Sequence, residues 1–456
     1  MDAKQLQRLS FDLARYLDDV LPDLGRQGRR SWAELYLRGL LLDGRRKSAG
    51  AMAQRLQRID RSPQDYEQGL QQFLSQSPWD ERPVRDQLAQ HLCRALGGEG
   101  LLILDDTGFP KQGTHSVGVG RQYSGTLGKI GNCQIGVTLQ FATTHEVVCL
   151  AAELYLPEDS WGNNPERLAA AGVPEAVGYR PKWQIGLTLL ERAKANGFGG
   201  VVLADCAYGD VTEFRQALDA EGWRWCVGVE KTLKVIAADA DLGEVPPYTG
   251  QGRPPSRREK VRPGATSESV LQWAQARAGE FRKVTWREGS KGKLSSQFAA
   301  WRVRPAHKLS AGKEPLAPCW LLVEWPEGEA APTKYFFSNL PAGTSLRQLV
   351  RTAKGRWWVE HSYKELKDEL GLDHFEGRSW RGWQHHVTLV MLAYAFLVLQ
   401  RRRGRGDHRH RGIRQGTPLP GAEQPAPQDG TPQAPTVLQG AAAPVRGPHP
   451  AAGRGA

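Results

Sequence analysis

At 456 residues, 40% hydrophobic and 24% charged, the chain is long enough for two or three domains and has the composition of an ordinary globular protein. Six scattered cysteines (Cys93, Cys133, Cys149, Cys206, Cys226, Cys319) include no C-x-x-C pair, which excludes a disulfide frame or a structural zinc as the expectation. A net charge of +12 and a pI near 9.5 point to a polyanionic partner, although half of that excess lies from residue 401 onward.

No signal peptide is expected, because Met1-Asp-Ala-Lys-Gln-Leu6 lacks a basic-then-apolar layout. No membrane span is expected either. The apolar segment 387–399 is short and runs into Arg401-Arg-Arg403. These features make a cytoplasmic protein the expectation.

Residues 1–96 read as a helical N-terminal domain that could bind DNA or simply pack. Leu6, Leu9, Leu13, Leu17 and Val20 recur at helical steps, and Ser31-Trp-Ala-Glu34 has the form of a capping box. Gly97-Gly-Glu-Gly100 breaks the pattern. Residues 97–230 then read as β-β-β-α-β-α-β: strands at 101–106, 133–141 and 147–156, a helix from Pro181, a strand at 201–205, a helix over 211–221 and a strand at 225–229. That order predicts an α/β fold, a mixed sheet with helices packed on it.

Residues 231–340 read as a β-rich insertion with mobile basic loops such as Gly252–Arg258. Its strand candidates are 297–303, 320–325 and 334–338. Helical patterning returns over 341–403, and residues 404–456, rich in Gly, Pro and Arg, are expected to be disordered or to be the product of a frameshift.

Three acids stand out against this frame. Asp106 closes the apolar run Leu101-Leu-Ile-Leu-Asp-Asp106, and Asp205 closes Val201-Val-Leu-Ala-Asp205. Glu360 lies in Arg356-Trp-Trp-Val-Glu360-His-Ser-Tyr-Lys-Glu-Leu-Lys367. A carboxylate ending a buried strand is costly unless a cation or hydrogen-bond donors compensate, and two such strands suggest metal. Two divalent ions held by carboxylates serve phosphoryl transfer. At about 100° per residue, Arg356, Glu360 and Lys367 share one helical stripe, with the cations suited to phosphate. The plainer alternative is an i,i+4 Arg356–Glu360 salt bridge on a surface helix.

Several phrases, in order, resemble the DDE transposases of bacterial insertion sequences, and within them the insertion sequence 701 family. They are Leu104-Asp-Asp-Thr-Gly-Phe-Pro-Lys111, the stretch from Arg121 to Gln134, Leu203-Ala-Asp-Cys-Ala-Tyr-Gly-Asp210, the stretch from Gly371 to Arg378, and Trp383-Gln-His-His-Val387. The likeness spans roughly residues 10–400.

The resemblance implies an RNase H-like catalytic core, interrupted by the β-rich insertion. It implies Asp106, Asp205 and Glu360 as the ligands of two Mg2+ ions, with Mn2+ as a substitute, and Arg356 and Lys367 as the phosphate grip. The activity implied is cleavage at terminal inverted repeats and joining of the 3′ ends to target DNA. The implied partners are double-stranded DNA and, on it, a second copy in a homodimer, at the bacterial nucleoid. Its D-T motif favours Asp106 over Asp105, and its Y-x2-R-x3-E-x6-K signature favours Glu360 over Glu365 and Glu369. The tyrosine place of that signature is Ala353. Two alternatives stay open: a catalytically decayed transposase that only binds DNA, and an RNase H-like nuclease without end preference. Lys111 and Gln122 could touch DNA or stabilise turns. Asp210 is expected to cap the following helix, His386 to hydrogen-bond or cap its own, and Trp320 and Trp325 to pack or to stack on a flipped base.

Overall fold

The computed structural model describes residues 3–22, 24–60, 64–240, 251, 267–289, 292–306 and 316–412. The chain divides into two compact units, one holding the residues up to Gly199 together with the chain from Trp358, the other holding Gly200–Trp357.

The first unit begins with α1 (Ala3–Val20), α2 (Gln27–Leu41), α3 (Ala49–Asp60), α4 (Tyr66–Ser75) and α5 (Glu81–Leu96). Strands β1 (Glu99–Pro110), β2 (Gly120–Ser124), β3 (Lys129–Ala142) and β4 (Val147–Tyr155) follow, then α6 (Pro165–Ala170) and α7 (Lys182–Ala195). β3 is the centre of an antiparallel sheet, paired with β1, β2 and β4.

The second unit contains β5 (Gly199–Ala204), α8 (Cys206–Gly209), α9 (Thr212–Ala220), β6 (Arg224–Val229), β7 (Lys234–Ala237), β8 (Glu268–Ser269), α10 (Val270–Gln275), β9 (Arg282–Gly289), β10 (Gly292–Pro305), β11 (Cys319–Trp325), β12 (Lys334–Ser338) and α11 (Leu346–Lys354). Its strand order is β5-β6-β12-β11-β10-β7-β8, with β9 paired to β10. β5 and β6 are parallel, and β12 lies antiparallel to β6 with Tyr335 opposite Val229. The β-rich segment therefore extends the sheet that β5 and β6 begin. Finally α12 (Trp357–Lys364), a π-helical turn at Glu365–Glu369 and α13 (Trp380–Gly412) run on into the first unit.

α13 organises that unit's core. By length and composition 380–405 is apolar enough to cross a membrane, but 94% of its most apolar window is buried inside the fold. It packs on α2, α4, α5 and β4, so its apolar surface is spent on neighbours. Each buried leucine along it, such as Leu389 and Leu392, contributes about 1.5–3 kcal/mol. Polar ties fix the register: the Tyr16 hydroxyl donates to Leu392 O at 2.9 Å, and the Tyr36 hydroxyl meets His386 Nδ1 at 2.8 Å. Arg85, buried, donates to Thr388 Oγ1, Ala152 O and Gln384 Oε1 at 2.6–3.0 Å. Its charge faces Glu153, which also accepts from Arg192 at 2.9 Å. A buried guanidinium with this many acceptors escapes most of the desolvation cost of a buried ion pair.

Several local expectations are corrected. A short strand, β2, precedes β3, so four strands rather than three come before α7. Ser31 lies inside α2, whose first turn begins at Gln27, and its Glu34 bonds Arg38 instead of a helix start. Genuine capping boxes close α10 at Ser269 and Gln272 and α11 at Ser345 and Gln348. Pro181 is the residue before α7 rather than its first. α13 continues to Gly412, past the boundary at 403 where helix was expected to end. The rest of the tail, 413–456, and the basic loop at 252–258 lie outside the described residues.

Candidate active site

Asp106 does not end its strand. β1 runs on to Pro110, with Asp106 opposite Val137 and Phe109 opposite Gln134, so the carboxylate projects from mid-strand. The apolar run only looks finished at Asp105 because polar Thr107 and Gly108 follow, yet Thr107 and Phe109 are both buried. Successive strand residues face opposite ways. Asp105 is buried at 8% exposure, whereas the Asp106 carboxylate, 22% exposed, accepts a hydrogen bond from Lys182 Nζ at 2.6 Å. Lys182 is the first residue of α7 and was not singled out from the sequence. It stands 76 positions from its partner, and no local pattern connects the two.

Asp205 lies just past β5, as the residue preceding α8, and its Oδ1 accepts from Ala207 N at 3.0 Å. The phrase around it is built for this turn. A Cβ on Gly209 would sit 1.8 Å from Gly228 O of β6, Tyr208 is buried, and Asp210 Oδ1 accepts from Glu230 N at 2.9 Å. Asp210 therefore ties the turn to the end of β6, one residue ahead of Val211, which precedes α9. The second oxygen of Asp205 meets the Arg356 guanidinium at 3.6 Å, a contact that brings two of the predicted residues together.

Arg356 stands immediately before α12, and Glu360 is exposed on its first turn. The inner face of α12 is docked on β3: the Tyr363 and Thr138 hydroxyls lie 2.6 Å apart, and Ser362 Oγ donates to Gln140 Oε1 at 2.9 Å. Thr138 is the register partner of Asp105, so the helix bearing Glu360 is anchored across the strand pair that bears Asp106. Burial and the nearby Asp105 and Asp106 hold the Tyr363 hydroxyl well above its usual pKa, keeping it neutral.

The single α-helical stripe expected for Arg356, Glu360 and Lys367 does not hold. Arg356 precedes the first residue of α12, and a π-helical turn at Glu365–Glu369, which contains Lys367, interrupts the α-helix after Lys364. Lys367 Nζ donates instead to Gly108 O at 3.1 Å and Thr126 Oγ1 at 2.9 Å. Burial pulls its pKa below the usual lysine value, against the opposing pull of Asp373, Asp368 and Asp105. Of the competing acids, Glu365 is held by Arg401 at 2.5 Å. Ala353 is buried on the inner face of α11, where a tyrosine would displace packed neighbours.

Several other residues of the distinctive phrases make hydrogen bonds within the fold. Lys111 donates to Phe375 O, Gln122 Nε2 to Cys133 O at 2.8 Å, and Asn132 Nδ2 to Lys111 O at 2.7 Å. His386, buried, bridges the Tyr36 hydroxyl and Gly371 O. Trp320 and Trp325 are half-buried, their ring N–H groups donating to Pro341 O and Glu329 O.

Partly exposed carboxylates are the hard oxygen donors that Mg2+ takes, so Asp106, Asp205 and Glu360 fit that ion by donor type. Among the described residues no group of three or more His, Cys, Asp or Glu comes together as a metal site.

A family model described as DDE superfamily endonuclease matches residues 19–293, more than half of the chain, and the chain belongs to that family. The matched span includes Asp106 and Asp205 and stops before Arg356, Glu360 and Lys367. The chain is similar to the probable transposase for insertion sequence element IS701 of Microchaete diplosiphon, at 27% identity over 314 residues covering 68% of this chain and 69% of that one. That relative meets the likeness read from the phrases. Among solved structures, the piggyBac transposase synaptic complex with hairpin DNA aligns over 92% of this chain and 84% of its own, at 10% identity and a TM-score of 0.34.

Proposed function

We propose that the protein is an insertion-sequence transposase that cuts DNA at its element's ends and joins the freed 3′ ends to a target. The observation that carries this reading is the Asp205–Arg356 contact, which pairs the second acid with the arginine of the R-x3-E-x6-K spacing. The antiparallel β1, β3 and β4 followed by α7, β5, α9 and β6 supports an RNase H-like core.

Asp106, Asp205 and Glu360 would hold the divalent ions. Bound there, such ions activate the attacking water or 3′-hydroxyl and stabilise the leaving oxygen. Lys182 and Arg356 neutralise the two aspartates until their charge is matched otherwise. Arg356 has the planar fork suited to a phosphate, and Lys367 supplies a compact charge beside β1. DNA carrying inverted repeats and a second copy of the chain are the partners this reading requires.

An end-labelled duplex carrying the DNA that borders the gene tests it. With Mg2+ the protein should nick that duplex, and Asp205→Ala should abolish nicking while leaving binding intact. Mg2+-dependent nicking that persists in Asp205→Ala would sink the assignment. The packed Ala353 favours a second reading, a decayed transposase confined to binding, for which the wild-type protein would bind the duplex and never cut it.

A further inference from the structure

The arm formed by β2 and the first residues of β3 carries a surface that the proposed chemistry does not use. Tyr123 and Ile130 are directly opposite each other in the register, so their side chains share one face. They are 64% and 61% exposed, whereas nearly all other large apolar side chains among the described residues are covered. Arg121 shares that face two positions from Tyr123, whereas Lys129, opposite Ser124, is exposed on the other side of the arm. No acidic residue occurs between Asp106 and Glu146 in the sequence, so the arm is cationic as well as apolar.

The arm is held in place from beneath. Buried Ser124 lies over Gly108, where a Cβ would come within 2.0 Å of the Ser124 hydroxyl. Lys367 Nζ binds both Gly108 O and Thr126 Oγ1 in the arm's turn. Gly108 is two residues beyond Asp106 on the same strand, so the outer face is presented beside an acid-bearing strand by a docked base.

We propose that this face holds a base displaced from the DNA stack next to the cut, with Tyr123 stacking on it, Ile130 filling the gap it leaves and Arg121 meeting the flanking phosphate. The proposal rests on the DNA reading above. Its physical ground is the mixture of groups. A fully paired duplex offers phosphates and groove edges, for which lysine and arginine suffice. An exposed aromatic–aliphatic pair within a cationic rim suits an unstacked base, which has a bare π-face, or a wedge between base steps.

The test uses the full chain and two forms of the bordering duplex, one fully paired and one mismatched at its last two positions with 2-aminopurine as the unpaired base. Wild-type protein should bind the mismatched form about tenfold more tightly than the paired form and quench its fluorescence by stacking. The exposed double variant Tyr123→Ala/Ile130→Ser should lose that preference and the quench, while binding the paired duplex within about twofold of wild type. Tyr123→Trp should restore both. Preference and quench that survive in the double variant overturn the proposal. So does a double variant that turns a dimer into a monomer by light scattering with its DNA preference intact, because the face would then be a contact between copies. Wild-type protein that binds neither duplex rejects the DNA reading itself, and this proposal with it.

Discussion

Asp106 and Lys182 form the pair on which a metal requirement should register most directly. If the carboxylate is a metal ligand, its lysine competes with the ion, and Lys182→Met should lower the Mg2+ concentration giving half-maximal nicking several-fold. A rise in that concentration would instead assign Lys182 to the DNA. Buried histidines make a second prediction. His385 and His386 are held at about 4, each mainly by burial, against an ordinary 6.5. The folded state therefore favours the neutral rings. The stability this represents is complete above pH 6.5 and is lost as pH falls through 4, amounting to about 3 kcal/mol for His386. Urea melts between pH 7 and 4 should show a smaller loss for His386→Gln than for wild type.

The side-chain chemistry was only partly legible beforehand. Asp106 and Asp205 could be picked out because each interrupts an apolar run. The partners of Asp106 and Lys367 could not, since Lys182, Gly108 and Thr126 are distant in sequence and reach them only through the fold.

Among the elements, long periodic segments were readable and short or irregular ones were not. β1, β3, β4, β6, β11 and β12 follow apolar patterns, whereas β2 and β9 alternate exposed with half-buried residues and present no run. The π-helical turn after α12 leaves no mark in a pattern read at α-helical spacing, which is why the stripe through Lys367 failed. The docking of α12 can be probed at Tyr363. Removing its hydroxyl leaves Thr138 short of a buried partner, so Tyr363→Phe should cost about 1 kcal/mol and slow nicking, with stability measured by denaturant titration. The β2–β3 arm can be probed at its base. Gly108→Ala should force Ser124 away and accelerate amide exchange along 120–131, while Gly113→Ala, with nothing within 4 Å, should leave exchange unchanged.

At the scale of the whole molecule, α13 is the element whose loss would be felt most widely. Leu392→Ala would open a cavity among α13's neighbours and should cost about 2–5 kcal/mol, seen as a lowered thermal midpoint. The sequence suggested a helix here but not its burial, because an apolar helix of this length reads the same whether lipid or protein surrounds it.

The pairing of β12 with β6 has a bearing on inheritance. Val229 and Tyr335 face each other across one strand spacing, so the chain leaves β6 and comes back beside it at almost the same point. A gene that lost everything between them would still encode two adjacent antiparallel strands, which a two-residue turn is enough to join. A change of length in the segment between them would therefore leave the β5–β6 pairing and the β6–β12 junction in place.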